Sequence, residues 1–169
     1  PLFCLCAIAI RLDSKGPVFY RQDRLGQDGR PLRLWKLRSM KPDAEAESGP
    51  TFAAEDDARI TRVGRVLRKT RLDELPQLVN VIRGDMSVVG PRPERPVFIE
   101  EFRREIPGYM LRHKTKAGLT GWAQVHGWRG DTSLHERVEH DLYYIQNWSI
   151  GLDVRIILMT LFRGGRNAH

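Results

Sequence analysis

Between Arg68 and Pro93 the chain reads Arg68-Lys69-Thr70-Arg71-Leu72-Asp73-Glu74-Leu75-Pro76-Gln77-Leu78 and then Arg83-Gly84-Asp85-Met86-Ser87-Val88-Val89-Gly90-Pro91-Arg92-Pro93. Adjacent carboxylates at what reads as a helix start are followed by a rigid Gly-Pro-Arg-Pro turn, so charge and conformational constraint are packed into one short span. An Asp in the first turn of a helix can simply cap it, for about 1 kcal/mol, and a Glu beside it favours the positive end of the macrodipole. For an isolated Asp-Glu pair that reading wins. Here Arg65, Arg68, Lys69 and Arg71 precede the pair while Asp85 and Arg92 follow it. Guanidinium groups grip phosphate bidentately and neutralise charge that would repel an attacking carboxylate. Mg2+, held by one or two carboxylates together with substrate phosphates, completes the neutralisation. A carboxylate can then attack phosphorus, form an acyl phosphate and split one hard transfer into two steps. The span therefore points to phosphate chemistry.

Composition agrees with an anionic partner. Lys and Arg number 28 against 21 Asp and Glu, a net charge of +7, which bears on phosphates, nucleic acid or lipid headgroups and not on fold. For charge alone, a soluble basic surface is the commoner explanation. At 169 residues one domain with one sizeable core is expected. Cys4 and Cys6 stand too close in sequence to join in a disulfide, and no redox or zinc role follows from them. His113, His126, His135 and His140 lack a ligand spacing and read as solvated or core histidines.

The two ends are apolar. Pro1 to Ile10 is a continuous apolar run that reads as cut and not begun, shorter than the about 20 residues a bilayer span needs, and suited to a buried, re-entrant or interfacial segment. An ordinary core helix explains it equally well, and a signal peptide is disfavoured. Residues 150–163 put Ile150, Val154, Ile157, Leu158 and Leu161 on one helical face, with Leu152, Ile156, Met159 and Phe162 greasy elsewhere. Trp148, Arg163 and Arg166 suit a headgroup level, which makes this a candidate interfacial helix; a core helix is modestly favoured on the residues alone.

Between the ends, Val18 to Met40 predicts a β-hairpin around Asp28-Gly29, with Leu34, Lys36 and Arg38 on one face and Arg33, Trp35 and Leu37 on the other. Cations on both faces suggest a nearby anion, although a solvated hairpin is commoner. The acidic stretch Lys41 to Asp57 reads as a loop or short exposed helix, the most mobile part of the chain. Helices are expected over Ile60 to Lys69 and from about Asp73, the latter with Leu75, Leu78, Val79 and Ile82 as its buried stripe. Two more are expected over Pro93 to Ile106 and Leu134 to Trp148. The first carries Phe98, Phe102 and Ile106 inward with Glu100 paired to Arg104, and the second carries Val138, Leu142 and Ile145. Gly118 to Trp122 and Gly127 to Gly130 read as loops. The fold class is thus α+β, a mainly helical single domain with a small hairpin.

The strings Asp73-Glu74-Leu75-Pro76-Gln77-Leu78, Asn80-Val81, Arg83-Gly84-Asp85-Met86-Ser87, Val89-Gly90-Pro91-Arg92-Pro93 and Leu119-Thr120-Gly121-Trp122-Ala123-Gln124-Val125 resemble the bacterial sugar transferases, the monotopic phosphoglycosyl transferases. Gly16 to Gln22 and Lys36-Leu37-Arg38-Ser39-Met40 fit the same family, so the resemblance covers essentially residues 1–169. Gly127-Trp128-Arg129-Gly130 and Tyr143 to Ser149 look most like the undecaprenyl-phosphate glucose phosphotransferase branch. The resemblance implies transfer of a sugar-1-phosphate from a UDP-sugar to undecaprenyl phosphate with release of UMP, on the cytoplasmic face of the bacterial inner membrane, as the first step of a surface glycan. Glucose is the expected sugar, with galactose or an N-acetylated sugar as alternatives.

Carried over residue by residue, Asp73 is the expected nucleophile and Glu74 helps to hold Mg2+. Lys36, Arg68 and Arg92 contact phosphate or steady the carboxylates, Asp85 supports, and Pro91 presents Arg92, with a cis bond as one way of doing so. The resemblance also makes Pro1 the break of a re-entrant membrane helix, residues 1–12 its returning half in one leaflet, and the entering half missing. Ala117 stands where the family often has Pro, and His126 where Asn is common. A homo-oligomer is left open. Two rivals remain: a basic domain docking nucleic acid or anionic lipid, with Trp122 and Trp128 stacking on bases, and a metal-dependent phosphohydrolase using water as acceptor.

Overall fold

The computed structural model describes residues 1–46, 49–51, 57–130 and 132–163. Helix α1 (Leu2–Asp13) leads into an antiparallel hairpin, β1 (Phe19–Leu25) and β2 (Pro31–Leu37), in which Phe19 faces Leu37 and Leu25 faces Pro31. The Asp-Gly pair turns the chain as expected, Asp28 and Gly29 both taking positive φ. Helix α2 (Arg62–Thr70) is capped by the Thr61 side chain, which accepts from the amide of Gly64. Its first turn is tied to α1, since Asp13 accepts from the amide of Val63 at 2.9 Å. Gly64 lies against the Ser39 carbonyl, where any Cβ would overlap backbone.

Of the acidic stretch after Lys41, residues 42–46 form turns and Glu45 makes a bidentate pair with Arg95 at 2.7 and 2.8 Å. Residues 47, 48 and 52–56 lie outside the described residues, as does Arg166.

The expected helix from Asp73 is two pieces, a 3-10 segment Leu72–Gln77 containing Pro76 and a short α3 (Leu78–Ile82). Its stripe is inverted. Leu78, Val79 and Ile82 are exposed, whereas Asp73, Pro76, Gln77 and Asn80 are buried, because the inner side of this segment serves polar contacts. Asn80 donates to the Arg33 carbonyl at 2.9 Å and so fixes α3 to the hairpin. Gly118 to Thr120, expected as loop, is instead a strand, β4 (Gly118–Thr120), pairing in parallel with β3 (Ser87–Val89). A three-residue strand is defined by its distant partner, not by its own pattern.

Helix α4 (Pro96–Glu105) buries Phe102 and packs Phe98 and Ile106 as expected, against Tyr109 and Val138 of α6 (Leu134–Gln146). Glu100 pairs with Arg103 at 3.7 Å and not with Arg104. On α6, Val138 is buried while Leu142 and Ile145 are partly so. The one-turn helix α5 (Trp122–Val125) precedes it, and α7 (Ile150–Arg163) follows. In α7 the packed side is Leu152, Ile156 and Met159, in a core cluster, and the five-residue stripe from Ile150 to Leu161 is exposed, so the helix is core on one side only. No helix among the described residues is long and apolar enough to cross a membrane. Cys4 and Cys6 are free thiols.

Candidate active site

The turn from α2 into the 3-10 segment makes the site. Arg71 sits at φ 57°, left-handed for a side-chain-bearing residue, a conformation that costs of order 1 kcal/mol and gathers at functional positions. It swings Asp73 inward to 7% exposure, beside Glu74. From β2, Lys36 donates to Glu74 Oε1 at 3.0 Å. From the turn after β3, Arg92 donates to the same oxygen at 2.6 Å and to Oε2 at 3.4 Å. The two cations overcome the burial that would raise Glu74, and hold it well below the usual carboxylate range. Asp73 differs. Burial pushes it up to about 6, with Lys36 opposing and the neighbouring Glu74 charge adding. It accepts no hydrogen bond among the described residues, so its oxygens are uncommitted. Arg68, bonded through Nε to Ser39 Oγ at 3.0 Å, is lowered by burial and offset first by the Asp73 charge.

The backbone that carries Arg92 is fixed by glycine. The Gly90 amide donates to Thr120 and the Gly118 amide to the Pro91 carbonyl, both at 2.9 Å, and a Cβ on Gly90, Gly118 or Gly121 would overlap the facing backbone. The Gly90-Pro91 bond is trans, so no cis proline presents Arg92. Asp85 stands apart from the pair, exposed, its amide and carboxylate both turned to Asn80. Of the hairpin cations, Lys36 alone reaches the pair. Arg33 pairs with exposed Asp23 at 2.8 Å, and Arg38 binds the carbonyls and Ser14 hydroxyl of the loop before β1.

Sequence reasoning missed the layer behind Arg92. Arg112 donates to Asp141 at 2.6 and 2.9 Å, to Tyr109 Oη at 3.1 Å and to the Arg92 carbonyl at 2.8 Å. Arg137 donates to Glu94 at 2.8 Å, and Arg24 closes the group by donating to the Pro93 carbonyl. These side chains are nearly all buried and far apart in sequence, and neither periodicity nor spacing marks them. Gln124, inside the Leu119–Val125 motif, joins the site too: its Oε1 accepts from Arg92 at 3.3 Å. Its Nε2 and the Nε of Arg71 are buried donors with no hydrogen bond among the described residues.

A buried uncommitted carboxylate, its neutralised neighbour, surrounding cations and spare donors form one candidate catalytic centre. The chain belongs to the bacterial sugar transferase family, whose model matches residues 1–166. It is 51% identical over 168 residues to the UDP-glucose:undecaprenyl-phosphate glucose-1-phosphate transferase of Escherichia coli strain K12, covering 97% of this chain and 36% of that one. It is 49% identical over 163 residues to the UDP-N-acetylgalactosamine-undecaprenyl-phosphate N-acetylgalactosaminephosphotransferase of Aeromonas hydrophila, covering 95% and 38%. The exopolysaccharide production protein PSS of Rhizobium leguminosarum bv. phaseoli is 42% identical over 171 residues, covering 95% and 84%. The chain thus spans just over a third of the first two relatives and most of the third.

Proposed function

We propose that this chain is the catalytic unit of a phosphoglycosyl transferase that moves a sugar-1-phosphate, glucose-1-phosphate first among the candidates, from a UDP-sugar to undecaprenyl phosphate. The observation that carries the reading is the unequal carboxylate pair, Asp73 raised and uncommitted beside an ion-paired Glu74. An Asp73 oxygen attacks the β-phosphorus, the bond from that phosphorus to the bridging oxygen breaks, and UMP leaves with the electron pair. A phosphate oxygen of undecaprenyl phosphate then attacks the aspartyl phosphosugar and returns Asp73 as carboxylate. Arg68 and Arg92 neutralise charge beside the pair, while Gln124 Nε2 and Arg71 Nε are donors available to the diphosphate.

Glu74 Oε2, with only the long contact to Arg92, suits one position on a Mg2+ that takes its remaining ligands from phosphate and water. Such an ion, when bound, polarises the diphosphate. The exposed apolar residues Leu5, Ile8 and Leu12 of α1 and Leu158, Leu161 and Phe162 of α7 support a seat in one leaflet, on the cytoplasmic side where UDP-sugars are found. The product opens synthesis of an exopolysaccharide, capsule or O-antigen glycan.

A panel of UDP-sugars tested with Mg2+ and undecaprenyl phosphate decides the reading. UMP together with a lipid-linked sugar, both lost on adding EDTA, is the expected result; UMP with free sugar phosphate means a hydrolase, and no UMP from any donor ends the proposal. The pH profile is a second check. Asp73 must be ionised to attack, so kcat/KM for the UDP-sugar falls about tenfold per unit below pH about 6. Burial lowers Lys36, which sets the basic limb below the usual lysine range. A profile flat to pH 4.5 contradicts the nucleophile assignment.

A further inference from the structure

Residues 92–94 form neither helix nor strand, yet each of their carbonyls is taken by a donor from elsewhere in the chain. Arg112 donates to the Arg92 carbonyl at 2.8 Å, Arg24 to the Pro93 carbonyl at 3.2 Å, and the Leu25 amide at the end of β1 to the Glu94 carbonyl at 2.9 Å. These donors replace the ladder that fixes regular backbone. The two arginines are in turn placed by one side chain. Glu94 is 3% exposed; its Oε1 accepts from Arg137 at 2.8 Å and lies 3.7 Å from Arg112, while its Oε2 lies 3.9 Å from Arg24. One carboxylate thus faces guanidinium groups from α6, from the 3-10 segment Tyr109–Lys114 and from β1. Asp141 serves Arg112 as well, but among the described residues Glu94 is the only carboxylate paired with Arg24 and Arg137.

Glu94 bonds neither acid of the pair. It reaches them through Arg92, whose backbone its arginines clamp and whose guanidinium lies 2.6 Å from Glu74 and 3.3 Å from Gln124. The charged groups facing Asp73 are Lys36 from β2, Arg68 from α2, Arg71 after it, the neighbouring Glu74, and Arg92. Lys36, Arg68 and Arg92 favour the ionised Asp73, and the Glu74 charge opposes it. A sign therefore separates two ways in which Glu94 can matter. Removing an anion acts through space to make Asp73 a stronger acid. Loosening Arg92 does the reverse, since a cation withdraws from Asp73 and Glu74 is left less neutralised.

We propose that Glu94 is a positioning residue for the transfer: by keeping Arg24 and Arg112 on the carbonyls of Pro93 and Arg92, it holds the Arg92 guanidinium on Glu74 and so keeps the charge around Asp73 in place for attack. The proposal rests on the transferase reading, and its test separates the two. The full chain in detergent micelles, labelled with carbon-13 at its aspartate carboxyls, is titrated by NMR, with Asp73→Asn identifying the Asp73 signal. The kcat/KM for the preferred UDP-sugar is followed over the same pH range. Glu94→Gln, nearly isosteric and uncharged, raises the Asp73 midpoint by about half a unit or more and carries the acidic limb of the profile upward with it. Glu94→Asp, which keeps the charge, recovers most of the change. Asp141→Asn, which removes the other anion from Arg112, shifts both readouts in the same direction and serves as the test if Glu94→Gln does not fold. An Asp73 midpoint that stays or falls in a folded variant overturns the proposal, because the lost carboxylate then acts through space or on stability alone. If the unaltered protein releases no UMP from any UDP-sugar, the transferase reading fails, and the carboxyl titration still decides whether Glu94 holds Arg92 in place.

Discussion

Asp73→Asn abolishes UMP release, by about a thousandfold or more, and at the same time raises the melting temperature. The first effect follows from removing the attacking oxygen: the amide keeps the shape of the side chain and accepts the same neighbours, yet cannot form an acyl phosphate. The second follows from the raised pKa. Burial lifts this acid from 3.8 to about 6, so ionising it works against folding. Its contribution to stability is full below pH about 4 and is lost as pH rises through 6, a difference of roughly 3 kcal/mol at neutral pH. Asn carries no charge and escapes that cost, so a gain of about 1–3 kcal/mol, or about 2–12 °C, is expected at pH 7.5. The gain should vanish near pH 4, where Asp73 is itself neutral. A variant that loses activity and stability together at pH 7.5 has merely misfolded, and one that retains activity rules out Asp73 as nucleophile.

Arg112→Ala is expected to lower stability by about 3–5 kcal/mol in urea unfolding. The arginine is 1% exposed, and its removal strands Asp141 and weakens the neutralisation of Glu94, both buried, while releasing the Arg92 carbonyl. Uncompensated buried charge is the main cost, so the pairwise change Arg112→Met with Asp141→Leu should recover a large part of the loss, as apolar replacement of buried pairs often does. Arg112→Lys keeps the charge but not the planar fork and should fall between. A loss under 1 kcal/mol for Arg112→Ala would mean that water enters the network and that it does not support the Arg92 turn.

The sequence made the hairpin legible because Asp28-Gly29 is a local turn signal, and it made α4 and α6 legible because Phe98, Phe102 and Val138 repeat at helical spacing. The carboxylate pair was legible through motif order, and the structure brings Lys36, Arg68 and Arg92 around it from separate elements. What failed was everything decided at long range. The side of Leu72 to Ile82 that carries Asp73, Gln77 and Asn80 is polar yet buried, so a hydrophobic rule turned the segment inside out. Apolar residues on most sides of residues 150–163 left the packed face undetermined, and Ile156 and Met159 are the ones that hold α7 to the body. The Arg112–Asp141 and Arg137–Glu94 pairs join residues 29 and 43 positions apart, for which no local pattern exists.

Gly90, Gly118 and Gly121 hold one side of the Arg92 turn through main-chain contacts, at positions where side chains are absent, and Arg112 and Arg24 hold the carbonyls on the other. A substitution at any of these three glycines would therefore move the backbone that carries Arg92, and with it the cation on Glu74, without touching either residue. The cation that steadies the acid pair is thus placed by a stretch of bare backbone, and its position is vulnerable at three residues that carry no functional group of their own.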